Sequence, residues 1–343
     1  MTTQATANLP VNSFIDKLPL PAFFREGDAA QRNLLLGIGL AVLSNVLFGV
    51  LYVYSSWLTP LSGTQVFVWR MLAMWAALVG FLLFSGRMAT SLAVLSNLKT
   101  VKQWAWLLLP TPIFASQFWL FMWAPVNGQG VQTAMGYFLF PLMMVVFGCV
   151  LFGEKLSKLQ WLAVGLAGLG VASELIRTQS LSWATLWVCL TYPIYYIMRR
   201  KQGISASTGL LVDLTVLAPF AIGYLLFIAP TTLTMVTSSA YMIAMVIGLG
   251  IMSALAMQSN VEASQKLPVN VFGMLSYLEP ALLFMLAITV LGNPFEQEML
   301  LSYGLIWSGI ACLIWHGVKT LKYNKAQRHS NKSSQIDAKV TAS

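Results

Sequence analysis

Ten long apolar runs divide this sequence, and they constrain its fold more than any other feature. Each run is about 20 residues long, the length that a helix needs to cross about 30 Å of hydrocarbon. Only 9% of the residues are charged and 57% are hydrophobic, whereas a soluble domain carries about 25% charged residues. We therefore predict an all-α integral membrane protein and exclude a cytoplasmic enzyme, a disordered chain and a nucleic-acid binder. The predicted spans are 33–57, 65–84, 103–122, 131–152, 160–175, 181–198, 208–228, 240–259, 269–291 and 300–318.

The runs do not alternate apolar and polar residues, so an outer-membrane β-barrel is not expected. Three cysteines lie inside the apolar runs and show no spacing typical of metal ligands. We predict that they are buried apolar residues and that they form neither a disulfide framework nor a metal site. They are Cys149, Cys189 and Cys312.

Lysine and arginine are distributed unevenly between the two sides of these spans. Of the 20 basic residues, all but two lie in the tails and in the connections after spans 2, 4, 6 and 8. The exceptions are Arg177, on the other side, and Arg70, inside span 2. Cytoplasmic segments carry the excess of Lys and Arg, so we predict that both termini are cytoplasmic and that the protein lies in the inner membrane. Its net charge of +9 then reflects orientation in the lipid bilayer, with no nucleic-acid partner.

The two halves of the chain share an internal pattern of glycine and proline. Five spans per half is an odd number, so the halves are expected to insert in opposite senses, as in many secondary transporters. We predict tails at 1–32 and 319–343 and five-helix repeats at 33–177 and 181–318. At a shift of 139 residues the matching positions are Pro141 and Pro280, Gly153 and Gly292, Gly165 and Gly304, and Gly170 and Gly309.

Three stretches around the fourth span resemble a known family. They are GYFLFP at 136–141, LFGEKLS at 151–157 and QWLAV at 160–164. With 123–127 and 199–213, they are similar to the RarD branch of the drug/metabolite transporter superfamily, built from two EamA repeats. The resemblance covers roughly residues 33–318. It implies ten helices in a five-plus-five inverted arrangement and the movement of small metabolites or drugs, commonly outward.

The sequence departs from this branch at five positions, so no substrate is carried over from RarD relatives. Span 2 has Trp69 where the branch usually has His, and Glu279 stands where it usually has a small residue. The other departures are Gln132 in place of Glu, Phe140 in place of Asn, and Asn293 in place of an acidic residue.

Three ionisable side chains inside the spans are candidates for binding a substrate or a coupling ion. A charge in mid-membrane costs about 2.5–3.5 kcal/mol, so each requires a reason. Arg70, about 8 Å inside the outer face, is either a binding group or a structural ion-pair partner. Asp213 is either a proton-binding carboxylate or a hydrogen-bonded residue near the inner face. Glu279, close to the midplane, is the strongest functional candidate, and we predict that it pairs with Arg70.

Aromatic and proline residues complete the predicted site. Pro141 and Pro280 each kink a helix and free a backbone carbonyl, which makes them candidate hinges. Tyr137 and Tyr277 are predicted to line a substrate site between the halves, enclosed by spans 2, 4, 7 and 9. Further candidates are Trp69, Trp119, Tyr192 and Tyr195.

Three other carboxylates are predicted to form ion pairs at helix ends, where such pairs are solvated. The predicted pairs are Glu262 with Lys266, Glu174 with Arg177, and Glu154 with Lys155 and Lys158.

The sequence favours a secondary-active transporter over an enzyme. Its two His residues, His316 and His329, form no zinc-protease motif, and it has no Walker motif. We therefore predict no catalytic site, metal, cofactor or ATP hydrolysis. The expected activity is export of a small metabolite or drug by alternating access, with protons as the candidate coupling ion. A passive channel or facilitator for small polar solutes is the alternative.

The charge asymmetry predicts the location of the C-terminus. A reporter that is active only in the cytoplasm should be active when fused after Ser343, and a reporter active only in the periplasm should be silent. The opposite pattern would contradict the predicted orientation, because the basic tail would then lie outside.

Overall fold

The computed structural model describes residues 29–124, 129–179 and 182–289 and, between 300 and 315, all but 303, 310, 313 and 314. Residues 1–28 of the predicted N-terminal tail, the predicted C-terminal tail, both His residues and the connection before span 10, with Gly292 and Asn293, lie outside the described residues, whereas residues 29–32 of the N-terminal tail begin α1. Within the described residues all regular structure is helical. The helices are α1 Ala29–Ser56, α2 Gly63–Phe84, α3 Met88–Ser96, α4 Val101–Leu108, α5 Thr111–Trp123, α6 Gly130–Phe152, α7 Lys158–Thr178, α8 Trp183–Gln202, α9 Ala206–Gly223, α10 Pro230–Thr237, α11 Ala240–Lys266, α12 Val269–Leu275 and α13 Leu278–Thr289. A π-helical turn, Tyr224–Ile228, extends α9.

Seven helical segments in the described residues are long and apolar enough to cross a membrane. They correspond to predicted spans 1–5, 7 and 8, which supports a multi-pass membrane protein. Span 6 is α8, whose last turn carries three basic residues, and span 9 is divided between α12 and α13. The total of ten spans, their inverted arrangement and the cytoplasmic termini stay predictions.

Two short helices, α3 and α10, lie in the connections after spans 2 and 7, where the sequence predicts no helix. Their 9 and 8 residues are too few to stand out as apolar runs. Three other helices, α2, α4 and α7, begin with a motif that can be recognised in the sequence, an S/T-x-x-Q capping box. In this motif the side chains of the Ser or Thr and of the Gln each accept a hydrogen bond from a backbone N–H group. The boxes are Ser62 with Gln65, Thr100 with Gln103, and Ser157 with Gln160.

Span 3 is broken at Pro110, between α4 and α5. Proline has no N–H, so the carbonyl one turn earlier is left without its helical partner. That carbonyl, of Trp106, accepts a hydrogen bond from Gln202 Nε2 at 2.7 Å. The next carbonyl, of Leu107, accepts one from Arg199 Nη1 at 3.1 Å. The end of α8 therefore satisfies the backbone groups that the break leaves free, as a hydrocarbon environment requires.

Span 9 is broken at Ser276 and Tyr277, just before Pro280. The Leu275 carbonyl at this break accepts a hydrogen bond from the amide of Asn45, in α1, at 3.4 Å. A helix that was predicted to be continuous is therefore two short helices, whose junction is supported by α1.

Contacts between distant segments bring one set of helix ends together. Ser91 of α3 accepts a hydrogen bond from Thr208, at the start of α9, at 3.1 Å. Glu154, after α6, accepts one from the N–H of Val269, at the start of α12, at 2.7 Å. We call this the basic end of the bundle, because the same helix ends carry the basic residues Arg87, Lys155, Lys158, Arg200, Lys201 and Lys266.

Packing between helices builds the interior of the bundle. α11 packs against α1 and α2, α2 also packs against α9, and α6 packs against α8 and α12. At Gly250 of α11, an added Cβ would lie 2.5 Å from the backbone of Ala73 in α2. Small residues permit such close approach of membrane helices.

The crossing of α7 with the helical residues after 300 depends on Gly170. A Cβ there would lie 2.6 Å from the Ser302 carbonyl oxygen, whereas a Cβ at Gly165 in the same helix would meet nothing within 4 Å. We expect Gly170→Ala to lower the free energy of unfolding by about 1–3 kcal/mol. Gly165→Ala, the matched control, should leave it unchanged or raise it by up to about 1 kcal/mol. Thermal melts of both purified variants in one detergent would test this, and equal melting temperatures would argue against the close crossing.

Candidate functional site

A small cavity lies between helices from both halves of the chain. α1, α2, α5 and α6 line it from the first half, and α8 and α13 from the second. Its free space holds about one water molecule, so a larger solute requires the surrounding helices to move apart. Four of its lining residues were predicted, namely Arg70, Tyr137, Tyr192 and Glu279. Four were not, namely Phe48, Gln117, Phe118 and Phe121.

Arg70 is held at the cavity wall by two contacts. Its side chain is buried, and Nε donates to Ser253 Oγ of α11 at 2.9 Å. Its guanidinium carbon lies 4.7 Å from the centroid of the Phe118 ring. A desolvated cation–π contact is favourable by up to about 2 kcal/mol. The cation therefore has a fixed position although it has no carboxylate within ion-pair distance in the described part of the chain.

The predicted direct ion pair between Arg70 and Glu279 is wrong. Both side chains line the cavity, but among the described residues they do not approach within ion-pair distance. The reason is that Ser253 and Phe118 hold Arg70 on the side of α2, α5 and α11. The two opposite charges attract each other only across the cavity, which leaves both faces of it polar.

Asp213 lies away from this cavity, in a network near the basic end. The carboxylate is fully buried and forms an ion pair with Arg199, which is 1% exposed. It also accepts hydrogen bonds from Thr111 Oγ1 at 2.6 Å and from the Tyr195 hydroxyl at 3.2 Å. This geometry favours the hydrogen-bonded alternative for Asp213 over a proton-binding one. It also corrects the count of basic residues in the connections, because Arg199 is buried inside α8 and does not lie in a solvated connection.

Tyr277 and the tryptophans lie outside the charged cavity. Tyr277 lines a second, small and apolar cavity between α6, α7 and the break before α13. Trp119 stacks on Trp123 with ring centroids 4.9 Å apart, and Trp69 packs against the hydrophobic core. The predicted enclosure by spans 2, 4, 7 and 9 is therefore corrected. Spans 1, 3 and 6 also contribute to the charged cavity, and no described residue of α9 lines it.

Glu154 forms a different contact from the solvated ion pair that was predicted. Its two carboxylate oxygens accept the N–H groups of Val269 and Asn270 at 2.7 and 2.8 Å. These groups begin α12, 115 residues further along the chain. A contact of this sequence separation leaves no signal in local spacing.

The two pairs predicted from i,i+3 and i,i+4 spacing are confirmed. Glu174 and Arg177 lie 2.6 Å apart, and Glu262 and Lys266 lie 3.6 Å apart.

Of the residues at the site that were not predicted, only the polar ones can be recognised in the sequence. Gln117 and Ser253 are buried polar residues in the middle of apolar spans, and an intramembrane polar group requires a partner. Gln117 donates to Thr191 Oγ1 at 2.7 Å. Phe48, Phe118 and Phe121 are indistinguishable in the sequence from the other apolar residues of their spans. No group of three potential metal ligands occurs in the part of the chain that the structure describes.

Comparison with known proteins identifies the family. Residues 35–173 match the model of the EamA-like transporter family. An uncharacterized transporter of Haemophilus influenzae is 43% identical over 288 residues, which cover 83% of this chain and 96% of that protein. The chain belongs to the EamA-like transporter family.

Within the EamA-like family the chain is RarD-like. The chloramphenicol-sensitive protein RarD of Pseudomonas aeruginosa is 34% identical over 292 residues, covering 83% of this chain and 96% of that protein. A solved crystal structure matches the fold with a TM-score of 0.62 and 16% identity, over 80% of this chain and 95% of that one. The EamA-like chain is therefore a multi-pass membrane transporter, which corresponds to the function class predicted from the sequence.

The buried pair of Arg199 and Asp213 predicts a large loss of stability when one partner is removed. Asp213→Asn should destabilise the protein by about 3–5 kcal/mol, because it leaves an uncompensated buried cation. Arg199→Gln should have an effect of similar size, and the double variant should lose less than the sum. Glu262→Gln, at a half-buried i,i+4 pair, should have a smaller effect, since such pairs contribute about 0.2–0.5 kcal/mol. Thermal melts of the four variants would test this, and strictly additive losses would argue against the pair.

Proposed function

We propose that this protein is a secondary-active exporter of a small metabolite or drug in the bacterial inner membrane. Both termini are cytoplasmic, and ten helices form two inverted five-helix repeats, at 33–177 and 181–318. The substrate binds in the charged cavity, which opens alternately to the two sides. The observation that carries the proposal is that this cavity lies between the two halves and presents an arginine and a glutamate that are not paired with each other.

A reciprocal contact supports the inverted repeat. A Cβ at Gly170 would lie 2.6 Å from the Ser302 carbonyl oxygen, and a Cβ at Gly309 would lie 2.8 Å from the Ala163 carbonyl oxygen. The 139-residue shift that relates Gly170 to Gly309 also relates Ala163 to Ser302. The shift therefore exchanges the two contacts, as expected for two halves related by a two-fold axis.

Helix pairing supports the same arrangement. Under the shift, α1 corresponds to α8, α2 to α9 and α6 to the segment of α12 and α13. The packing of α6 on α8 then has its counterpart in the packing of α1 on α12 and α13. The contacts of α2 with α9 and of α6 with α12 join corresponding helices of the two halves.

The lining of the cavity defines the kind of molecule that it accepts. Arg70 offers a cation for an anionic or strongly hydrogen-bonding group, and Glu279 offers an anion or, when protonated, a donor. Tyr137, Tyr192 and Phe118 provide aromatic faces. Such a site suits a small, partly apolar solute with polar groups at two positions. A carboxylate at the substrate site is also suited to carry a coupling proton, so we propose protons as the coupling ion and Glu279 as their carrier.

The hinges of the motion are proposed at the two repeat prolines. Pro141 lies inside α6, and Pro280 follows the break between α12 and α13. The Pro141 carbonyl lies near Gly273, where an added Cβ would be 3.0 Å from it. Both prolines therefore lie where α6 meets the broken helix, next to the cavity.

Removing either cavity charge should slow export strongly. Comparative metabolite profiling of cells and medium, with the gene deleted and overexpressed, would identify compounds that the protein moves outward. For such a compound, Arg70→Gln and Glu279→Gln should each lower the export rate by about tenfold or more, because each removes a charged hydrogen-bonding group. Glu262→Gln should export at the parent rate, since it changes a carboxylate outside the cavity. Full export by both cavity variants would contradict the proposed site.

Proton coupling gives Glu279 a separate readout. In proteoliposomes, an imposed pH gradient should accelerate transport of the identified compound by the parent protein. Glu279→Gln should still exchange the compound down its gradient when it retains binding, but should no longer respond to the pH gradient. An unchanged response in this variant would exclude Glu279 as the proton carrier.

A further inference from the structure

The contacts of Glu154 hold together parts of the chain that belong to opposite halves. Glu154 follows α6, in the first half, and its carboxylate accepts the N–H groups of Val269 and Asn270 in the second half. These two donors begin α12, so one side chain at the end of one helix fixes the start of another. Hydrogen bonds to a charged acceptor are about twice as strong as neutral ones.

Arg200 holds the other side of the same turn. It lies in the last turn of α8, and its Nη1 donates to the carbonyls of Ser264 at 3.2 Å and Leu267 at 2.6 Å. These carbonyls end α11, immediately before the groups that Glu154 binds. The Arg200 guanidinium carbon also lies 5.4 Å from the Phe152 ring centroid in α6. The turn between α11 and α12 is therefore held by an anion from one half and by a cation from the other.

α6 and α12 pack closely between this turn and the cavity. A Cβ at Gly148 would lie 3.4 Å from the Val269 Cβ, and a Cβ at Gly273 would lie 2.5 Å from the Met144 Cβ. The side chain of Met144 is buried at this contact.

Three buried aromatic rings lie beside this contact. The ring of Tyr196 lies 5.8 Å from that of Phe140 and 5.1 Å from that of Phe272. Phe140 also contacts the cavity residue Tyr192, with centroids 5.1 Å apart. The basic end of the bundle is thus closed by a ring layer, a tight helix contact and the charged turn.

We propose that Glu154 is the latch of a gate at the basic end, and that its release from Val269 and Asn270 lets α6 separate from α12. The proposal rests on alternating access in the proposed function, and it assigns the closed state of this end to a specific pair of hydrogen bonds. Arg200 is a positioning residue, because it fixes the end of α11 and thereby keeps the two N–H groups in place. Opening exposes the contact of Met144 with Gly273 and then the ring layer.

The test measures exposure of the α6–α12 contact and needs no transported substrate. Met144→Cys is introduced into full-length protein in which Cys149 and Cys312 are replaced by Ala and the buried Cys189 is retained. Labelling of both cysteines by N-ethylmaleimide is followed in detergent by mass spectrometry. Glu154→Ala should raise the labelling rate at position 144 by about tenfold or more, since it removes two charge-assisted hydrogen bonds. Glu154→Gln should give a smaller rise, because its single amide oxygen satisfies one N–H and not both.

Two controls separate gate opening from general loosening. Glu174→Gln removes a carboxylate at the opposite end and should leave labelling at position 144 unchanged. Cys189, in the half of α8 away from the basic end, reports unfolding and should label at the parent rate in every variant. Equal labelling at position 144 with and without the Glu154 carboxylate would overturn the proposal, and so would a parallel rise at Cys189. Failure of the latch proposal can be distinguished from failure of the proposed transport function, because cysteine labelling and export are measured separately.

Discussion

Hydrocarbon offers no partner for a free backbone N–H or C=O group, and this constraint explains where the buried polar side chains of this protein lie. The chain breaks two of its apolar segments, at Pro110 and at Ser276–Tyr277, and each break frees backbone groups. Gln202 and Arg199 satisfy the carbonyls at the first break, and Asn45 donates to the carbonyl at the second. The polar residues that would otherwise be costly are therefore the ones that make broken helices possible.

The breaks in turn determine the shape of the site. Because α12 and α13 are separate helices, Glu279 begins a new helix beside the cavity instead of continuing along the line of α12. Immediately after the break at Pro110, Thr111 donates a hydrogen bond to Asp213. Further along, α5 places three residues at the cavity wall, namely Gln117, Phe118 and Phe121. Charge and irregular backbone occur together here, as is common at sites in membrane transporters.

Local pattern was enough to predict much of the fold. Length and hydropathy identified spans 1–5, 7 and 8, and spacing identified the Glu174–Arg177 and Glu262–Lys266 pairs, because these features depend on neighbours in the sequence. The breaks in spans 3 and 9 were not predicted, since a proline in an apolar run does not show whether the helix bends or ends. Arg199 was assigned to a solvated connection because its ion pair with Asp213 depends on how α8 and α9 pack, which local spacing does not show.

The candidate site could be predicted only in part. The cost of an intramembrane charge selected Arg70 and Glu279, and both line the cavity. Their direct pairing was wrong because height in the membrane says nothing about Ser253 and Phe118, which hold Arg70 on its own side. Tyr277 was assigned to the wrong cavity because it lies at the break between α12 and α13, where the direction of a side chain does not follow from helical spacing. The contact of Glu154 with α12 has no signature in a single sequence.

The sequence separations of the buried ionic contacts have a consequence for membrane insertion. Asp213 follows its partner Arg199 by 14 residues, so the two charges can neutralise each other as soon as α8 and α9 have both been synthesised. Ser253 follows Arg70 by 183 residues, so α2 must reside in the membrane with a cation that lacks this contact until α11 is synthesised. Arg70 can therefore make this contact only after most of the chain has been synthesised.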